Sequence, residues 1–322
     1  MSQPSEHGDA SPLHILPVAQ IPPEALDQPP WLVEQLWARE AVGIIGGAPK
    51  CCKTYLALEM ALAVASGRPC LGRFHVPQPG PVLIFAAEDA PLQLRARLLG
   101  LARARGADFQ ALQIFLILAQ QLRLDLDLDR RRLAQAIEKF QPRLLILDPF
   151  VRLHRLDENS AMEVSALLSD LRALQRRFHL AVLLVHHTRK AGGEASGQTL
   201  RGSSDLHAWG DSNLYLRRSQ DQIHLTVEHR AARAPETIAL TLTGDDSAHL
   251  EVTSLAPSPT KETGPGFQQD VLDALRRHHV ALTQYQLRCA LKVRNQGLTT
   301  ALRDLLASNK ISRCDGGWTV AR

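Results

Sequence analysis

Short, uninterrupted apolar runs alternate with longer amphipathic stretches through the first two thirds of the chain. The runs occupy residues 42–46, 81–87, 144–147 and 181–185. Runs of this length are typical of strands that are buried on both faces. Helix-length stretches follow at residues 54–66, 89–105, 130–140 and 161–178, with Asp89 as the expected N-cap of the second. The alternation predicts an α/β fold with a twisted, mainly parallel sheet covered by helices on both faces.

The pattern changes after about residue 212. Apolar and polar positions alternate in residues 214–216, 223–227, 238–242 and 249–252, which predicts an antiparallel extension of the same sheet. Residues 255–266 are rich in Pro, Gly, Ser and Thr and have the composition of a linker. Three helix-like stretches and a hairpin, with its turn at residues 315–317, follow. We therefore expect an α/β domain at residues 29–254 and a small C-terminal winged helix-turn-helix domain at residues 267–322.

Charge is distributed unevenly along the 322 residues, although the net charge is only +4. Residues 1–28 are acidic and Pro-rich and read as a flexible tail. Residues 256–322 contain ten Lys and Arg but five Asp and Glu. A basic C-terminal module favours nucleic acid as a partner, and a solvated basic surface is the alternative.

The five cysteines favour a reducing compartment. No pair has C-x-x-C spacing, so neither a zinc site nor a disulfide framework is expected. The N-terminal residues lack the charge pattern of a signal peptide, and no apolar run reaches roughly 18 residues. The expectation is a cytoplasmic protein that does not associate with a membrane.

The stretch with the clearest chemistry lies between the first predicted strand and the first predicted helix. Its eight residues are Gly47, Ala48, Pro49, Lys50, Cys51, Cys52, Lys53 and Thr54. They follow the phosphate-loop pattern G-x-x-x-x-G-K-[ST] except that Cys52 replaces the second glycine. In such a loop, backbone N–H groups cradle phosphates, the Lys reaches the β- and γ-phosphates, and the Thr hydroxyl binds Mg²⁺.

Cys52 leaves two interpretations of this loop open. Glycine lets backbone and phosphate approach closely, and a Cβ at that position crowds a nucleotide unless the residue adopts the required conformation. The loop is therefore either functional despite Cys52 or a vestigial site. Because Cys51 and Cys52 lie near a helix N-terminus, their thiol pKa values are expected to be lowered, which would make the site oxidisable.

Polar residues end three other predicted strands. Glu88 and Asp148 each follow an apolar run directly, and His187 follows one after His186. Ligands bind at the carboxyl ends of strands in open α/β sheets. A carboxylate at Asp148 would hold the Mg²⁺ shell, Glu88 would activate the attacking water, and His187 would contact the γ-phosphate. The alternatives are a helix cap for each acid and a structural role for the histidine.

These motifs, in this order, resemble the RecA-like P-loop NTPases and, more closely, the RepA-type hexameric replicative helicases and related bacterial ATPases. The matching stretches are residues 46–54, 85–89, 147–150 with 154–159, 185–188 and 201–204. The resemblance implies an ATPase that uses ATP and Mg²⁺. It assigns the general base to Glu88, the Walker B carboxylate to Asp148 and the γ-phosphate sensor to His187.

The resemblance also implies a homo-oligomeric ring, such as a hexamer, with nucleotide at the subunit interfaces. A neighbour's arginine would then stabilise the transferring phosphoryl group. Arg230 and Arg233 are candidates, with a solvated strand residue as the alternative for Arg230. The position at which RepA carries this arginine is Asp211 here.

Two segments are candidates for binding DNA. Arg189 and Lys190 begin a Gly-rich loop that lines the channel of RecA-like rings and would track single-stranded DNA, or it would serve only as a connection. The residues that would start the recognition helix in duplex DNA are Arg294, Asn295, Gln296 and Thr299. A winged helix that docks a protein is the alternative.

The sequence therefore predicts a DNA-dependent ATPase resembling RepA-type replicative helicases. A DNA-binding regulator or adaptor with a vestigial nucleotide site is the main alternative, because Cys52 departs from the loop pattern. A recombination or repair ATPase that remodels DNA without processive unwinding is a third.

Overall fold

The chain divides into two compact units, Met1–Thr253 and Ser254–Arg322. The computed structural model describes residues 16–20, 30–156, 161–187, 204–219, 222–244, 247–254, 265–278, 281–291, 295–308, 310–314 and 317–320. Most of the predicted tail, at residues 1–28, and most of the predicted linker, at residues 255–266, lie outside these ranges.

Strands and helices alternate through the first unit. The strands are β1 (Trp31–Val33), β2 (Trp37–Ala38), β3 (Val42–Gly47), β4 (Val82–Ala86), β5 (Ile114–Leu116), β6 (Leu144–Asp148), β7 (Ala181–His187), β8 (Ser212–Ser219), β9 (Gln222–His229), β10 (Ile238–Thr243) and β11 (His249–Ser254). The helices are α1 (Lys53–Ser66), α2 (Pro91–Arg105), α3 (Asp127–Phe140), α4 (Ala161–Phe178) and α5 (Ser204–Trp209). Short 3₁₀ turns occur at Val18–Gln20, Phe109–Ala111 and Phe150–Arg152.

One sheet of nine described strands, in the order β11-β10-β9-β8-β3-β7-β6-β4-β5, organises the first unit. The five strand pairings in the part of the sheet ordered β8-β3-β7-β6-β4-β5 are parallel. The β8–β9 and β9–β10 pairings are antiparallel. The predicted α/β class with a mainly parallel sheet is confirmed. The sequence expectation was wrong for β8, which runs parallel to β3, so the antiparallel extension begins with β9.

Burial explains why the central strands read as continuous apolar runs. Every residue of β3 and β6 is buried. One face of the sheet packs in a core that includes side chains of α3 and α4, among them Leu133, Ile137 and Leu167. Helix α1 contacts β3, β6 and β7, and ten of its residues are buried. Each fully buried Leu, Ile or Val side chain contributes about 1.5–3 kcal/mol.

A buried ion pair joins α1 to α2. Glu59 on α1 is 1% exposed, and its two carboxylate oxygens accept hydrogen bonds of 3.1 and 2.7 Å from Arg105 at the end of α2. The same guanidinium donates to the backbone carbonyl of Leu250 on β11. Three elements that are distant in sequence are therefore connected through one arginine.

The N-terminus of α2 differs from the sequence expectation. Asp89 does not cap the helix: the N-cap is Ala90, which makes no side-chain cap hydrogen bond. Pro91 occupies the first helical position, which fixes the start of the helix two residues after Asp89. Asp89 instead forms a 2.6 Å ion pair with Arg97.

The second unit contains three helices followed by a hairpin in the residues that the structure describes. The helices are α6 (Pro265–His278), α7 (Gln284–Leu291) and α8 (Asn295–Ala307), and the hairpin strands are β12 (Ile311–Cys314) and β13 (Gly317–Val320). Leu282, before α7, exchanges two backbone hydrogen bonds with Trp318 on β13. Val271, Leu287 and Leu298 belong to a separate small core.

Across both units, none of the described helices combines the length and apolar character needed to cross a membrane.

Candidate functional site

A cleft of about 380 Å³ opens at the edge of the sheet where the parallel strands have their carboxyl ends. The register brings these ends together: Gly47 pairs with His187 on one side and Leu216 on the other, and Ala86 pairs with Asp148. The loop between β3 and α1 forms one wall through residues 50–54. This is the edge at which open α/β sheets bind ligands.

The loop backbone adopts left-handed conformations at two residues that are not glycine. Lys50 has φ 63° and Cys52 has φ 66°. Cys52 is the N-cap of α1, so the residue in place of the expected second glycine does adopt a backbone geometry that glycine accepts freely. A left-handed residue with a Cβ costs roughly 1–2 kcal/mol. Gly47 is required sterically, since a Cβ there would lie 2.4 Å from the carbonyl oxygen of Leu216.

Lys53 places a buried ammonium group inside the loop. The residue is 4% exposed, and Nζ donates to the carbonyl oxygens of Gly47 at 3.0 Å and Ala48 at 2.8 Å. Desolvation lowers the pKa of this amine. A cation that is held by carbonyl dipoles at a helix N-terminus is suited to bind a multiply charged anion.

Thr54 and Asp148 lie in direct contact on the floor of the cleft. The Thr54 hydroxyl donates a 2.8 Å hydrogen bond to Oδ2 of Asp148. Burial raises the pKa of Asp148 to about 6, against the opposing effect of that hydrogen bond. A hydroxyl beside one carboxylate fits Mg²⁺, which binds through one or two protein oxygens together with phosphates and water. The described residues contain no cluster of three or more His, Cys, Asp or Glu that could hold a metal without phosphate.

Glu88 and His187 both line this cleft. Glu88 lies two residues after the end of β4, is 49% exposed in its side chain, and pairs with Arg152 at 3.1 Å. His187 ends β7, and desolvation followed by the nearby charge of Lys53 lowers its pKa. Its ring is therefore neutral at physiological pH, so one ring nitrogen donates a hydrogen bond and the other accepts one.

The two loop thiols contradict the sequence expectation about their acidity. Burial raises the pKa of both Cys51 and Cys52, and this effect exceeds the opposing charges of Lys53 and Arg218. The Cys51 thiol also donates to the carbonyl of Ala48 at 2.8 Å. Both thiols are protonated at neutral pH, and the predicted lowering of their pKa values was wrong because desolvation is the largest effect on both.

Three cleft residues escaped the sequence analysis: Tyr55, Arg97 and Arg218. The Arg97 guanidinium lies 5.4 Å from the centroid of the Tyr55 ring. Arg218, near the end of β8, donates to the carbonyl oxygen of Lys50 at 3.3 Å. The available signal for Arg218 was its place two residues after the apolar segment at residues 214–216, near the carboxyl end of a strand.

Arg230 lies away from the cleft of its own chain. It follows β9, whose last residue, His229, pairs with Ser212 at the start of β8. This is the amino-terminal end of the parallel strands, which the six residues of β3 separate from the loop by about 17 Å. Arg230 forms a 3.2 Å ion pair with Asp211 and donates to the carbonyl of Ala208 at 2.6 Å.

The predicted DNA-binding residues are placed only in part. Arg189, Lys190 and Arg294 lie outside the described residues. Asn295, Gln296 and Thr299 are in the first half of α8, where the structure describes the backbone but not these side chains. Their roles stay predictions.

Solved structures show the same fold at low sequence identity. An ATPase domain matches with a TM-score of 0.52 at 15% identity, over 67% of this chain and 86% of that one. A DnaB-like replicative helicase, in a structure that concerns its interactions with primase, matches with a TM-score of 0.51 at 16% identity. That match covers 66% of this chain, and the chain spans 57% of the length of that helicase. These likenesses show a RecA-like core fold.

The family match comes from the sequence itself. Among curated proteins, none matches the chain. The family model described as "AAA domain" matches residues 9–193, a segment that includes the loop at residues 47–54 and the ends of β4, β6 and β7. Because that segment is more than half of the 322 residues, the chain belongs to the AAA domain family.

Proposed function

We propose that the protein is a DNA-dependent ATPase of the RepA-type helicase kind, which hydrolyses ATP with Mg²⁺ at the interfaces of a ring and moves on or unwinds DNA. The observation that carries the proposal is the cluster at the loop: the buried Lys53 amine, the left-handed Cys52 at the start of α1, and the Thr54–Asp148 contact. Each is a part that phosphate-loop ATPases require.

Phosphate binding follows from the loop geometry. The N–H groups at the start of α1 carry the positive end of the helix dipole. The Lys53 amine, now held by two carbonyls, would exchange them for oxygens of the β- and γ-phosphates. Thr54 and Asp148 would hold Mg²⁺, which neutralises charge on the phosphates.

Hydrolysis requires a base beside the terminal phosphate. A water oxygen forms a bond to the γ-phosphorus, the bond to the β–γ bridging oxygen breaks, and ADP leaves with the electron pair. Glu88, on the cleft wall, would take the proton of the water, and its pairing with Arg152 holds the carboxylate in place. His187, which is opposite Gly47 in the sheet, would donate to the γ-phosphate and respond to its loss.

Assembly and DNA binding complete the proposal. Arg230 lies at the end of the strands opposite its own cleft. This position suits a residue that contacts the nucleotide of a neighbouring subunit. Arg189 and Lys190 would contact single-stranded DNA in the channel of the ring. The three helices and hairpin of the second unit would form a winged helix, with Arg294, Asn295, Gln296 and Thr299 at the duplex.

A regulator or adaptor with a vestigial nucleotide site is the second candidate, and Cys52 is the observation that favours it. The left-handed conformation of Cys52 argues for the ATPase instead, because the cysteine accepts the backbone geometry at which glycine is expected. A recombination or repair ATPase would share the site and differ only in its action on DNA.

The test is steady-state ATP hydrolysis with and without single-stranded DNA. We expect DNA-stimulated turnover that disappears in Lys53→Ala and falls by about 10²–10⁴-fold in Glu88→Gln. Glu138→Gln, on the exposed surface of α3, is the matched control and should hydrolyse ATP normally. Turnover that survives Lys53→Ala would overturn the proposal. If turnover depends on Lys53, a strand-displacement assay separates a helicase from a repair ATPase. Site-specific binding to duplex DNA without ATP turnover would favour the regulator.

A further inference from the structure

Arg218 adds a positive charge to the nucleotide cleft, which Lys50, Lys53 and Arg97 of the same chain also line. It lines the cleft together with Lys53 and Asp148, and its Nη1 donates to the carbonyl of Lys50 at 3.3 Å. Lys50 is the middle of the loop and has a left-handed backbone. The guanidinium therefore contacts the backbone of the phosphate loop directly.

The sheet itself determines the position of Arg218. Strand β8 pairs in parallel with β3, with Leu216 opposite Gly47, so Arg218 is two residues beyond the point where the loop begins. On its other side, β8 pairs with β9 through eight residue pairs from Ser212 to Ser219. The pairing of Arg218 with Ile223 of β9 fixes its backbone before any ligand arrives, and such positioning is what electrostatic stabilisation of a transition state requires.

The guanidinium has donors to spare for phosphate. It carries five N–H donors, of which the contact with Lys50 occupies one. The side chain is exposed to the cleft, and its charge opposes the effect of burial on the thiol of Cys52. A planar guanidinium beside a phosphate loop can contact two phosphate oxygens at once.

Arg230, the residue proposed for a neighbour's site, cannot contact the nucleotide of its own chain. It is bound to Asp211 at the opposite end of the strands from the cleft. We propose that Arg218 is a catalytic arginine in cis, which contacts the terminal phosphate of the nucleotide bound by its own loop and stabilises the charge that develops there during hydrolysis. Catalytic arginines occur both in cis and in trans among phosphate-loop NTPases. This inference rests on the proposed function.

Arg217 provides a matched control. It is the neighbouring residue of the same strand, is also exposed, and points to the opposite face because side chains alternate along a strand. Arg217→Ala and Arg218→Ala remove the same charge from the chain one residue apart. A difference between them reports position and not net charge.

The first experiment measures binding of a non-hydrolysable ATP analogue and of ADP by calorimetry. Arg218→Ala should weaken binding of the analogue by at least about tenfold and of ADP by less than about threefold, because only the analogue carries the terminal phosphate and charge-assisted hydrogen bonds are the strong ones. Arg217→Ala should leave both affinities within about twofold of the native values. Arg218→Lys, which keeps the charge but not the planar fork, should be intermediate. Arg218→Lys also provides the binding test if the alanine variant does not fold.

The second experiment distinguishes action in cis from action in trans. At saturating ATP, Arg218→Ala should lower kcat by at least about 100-fold. Mixing Arg218→Ala subunits with Lys53→Ala subunits should restore no turnover, because every site would lack one of the two residues. Restored turnover would mean that Arg218 serves a neighbour and would overturn the inference.

The remaining outcomes separate this inference from the proposed function. If Arg218→Ala binds the analogue and hydrolyses ATP as Arg217→Ala does, while Lys53→Ala binds neither nucleotide, Arg218 has no role at the phosphate and the ATPase proposal stands. If the native protein binds no nucleotide, both fail together.

Discussion

Cys52 occupies a left-handed position that glycine adopts without steric cost. Cys52→Gly should therefore raise the free energy of unfolding by about 1 kcal/mol, because the strain of a Cβ in this conformation is removed. ATP affinity should stay the same or increase. Urea unfolding followed by tryptophan fluorescence measures the first quantity and calorimetry the second.

Cys51→Gly is the control for that substitution. Cys51 has no positive φ and is buried, and its thiol donates a hydrogen bond to the carbonyl of Ala48. Glycine at this position should therefore lower the free energy of unfolding by about 1–3 kcal/mol. Equal effects of glycine at the two neighbouring positions would show that the left-handed conformation of Cys52 is not strained.

His186 predicts a dependence of stability on pH. Burial, and then the charges of His187 and Lys53, lower the pKa of this side chain to about 4, whereas an unfolded histidine titrates near 6.5. Between these values the unfolded chain binds a proton that the folded chain does not. The contribution of His186 to the free energy of unfolding is therefore fully present above pH 6.5. About 3 kcal/mol of that free energy is lost as the pH falls toward 4.

The measurement compares the native protein with His186→Asn by urea unfolding at pH 7 and pH 4.5. The difference between their free energies of unfolding should shrink by about 1–3 kcal/mol at the lower pH. A comparison is needed because Asp148, whose pKa is raised to about 6, titrates with the opposite sign. Parallel pH profiles for the two proteins would contradict the prediction.

At the scale of elements, the Glu59–Arg105 pair should be one of the costliest contacts to break. Glu59→Gln leaves a mostly buried guanidinium without its partner charge, and the free energy of unfolding should fall by about 3–5 kcal/mol. The midpoint of urea unfolding measures this loss. Asp170→Asn, which removes an exposed partner of Arg130, should cost less than about 1 kcal/mol. Similar losses for both variants would contradict the prediction.

The central elements were predictable because one local signal determines each of them. Strands β4, β6 and β7 are buried on both faces, so each appears in the sequence as a continuous apolar run. Strand β5 has three residues and is only half-buried, and β1 and β2 are as short, so their patterns do not rise above those of a loop. The direction of β8 depends on which strand it pairs with, which no local pattern reports.

The candidate site divides in the same way. The loop, Glu88, Asp148 and His187 could be identified because each lies at or just beyond the carboxyl end of a strand that the sequence predicts, and the structure brings them to one cleft. Arg218 is 165 residues from Lys53 in the chain and reaches the cleft only through the parallel β3–β8 pairing. The thiol pKa values were wrong for a related reason, since burial is a property of the folded chain.

At the scale of the whole molecule, the two compact units predict separable binding activities. A chain ending at residue 254 should bind the ATP analogue within about twofold of the full-length affinity, because every residue of the cleft lies before that point. It should lose most of its affinity for duplex DNA along with the basic C-terminal residues. Fluorescence anisotropy with a labelled duplex at two salt concentrations measures this loss.

Lys53→Ala in the full-length chain is the reciprocal control. It should lose the ATP analogue and keep duplex binding with an unchanged dependence on salt. Duplex affinity that survives removal of residues 255–322 would instead place the duplex site in the first unit.

The cysteine at the start of α1 also makes the loop chemically addressable. Phosphate loops that follow the usual pattern have glycine there and offer no side chain to an electrophile, whereas Cys52 is half-buried at the wall of the cleft. Its raised pKa keeps it inert toward reagents in solution, so reaction depends on a ligand that holds an electrophile beside it for long enough. Nucleotide analogues with a mild electrophile near the phosphates should therefore label this protein covalently and spare proteins whose phosphate loop has glycine at that position.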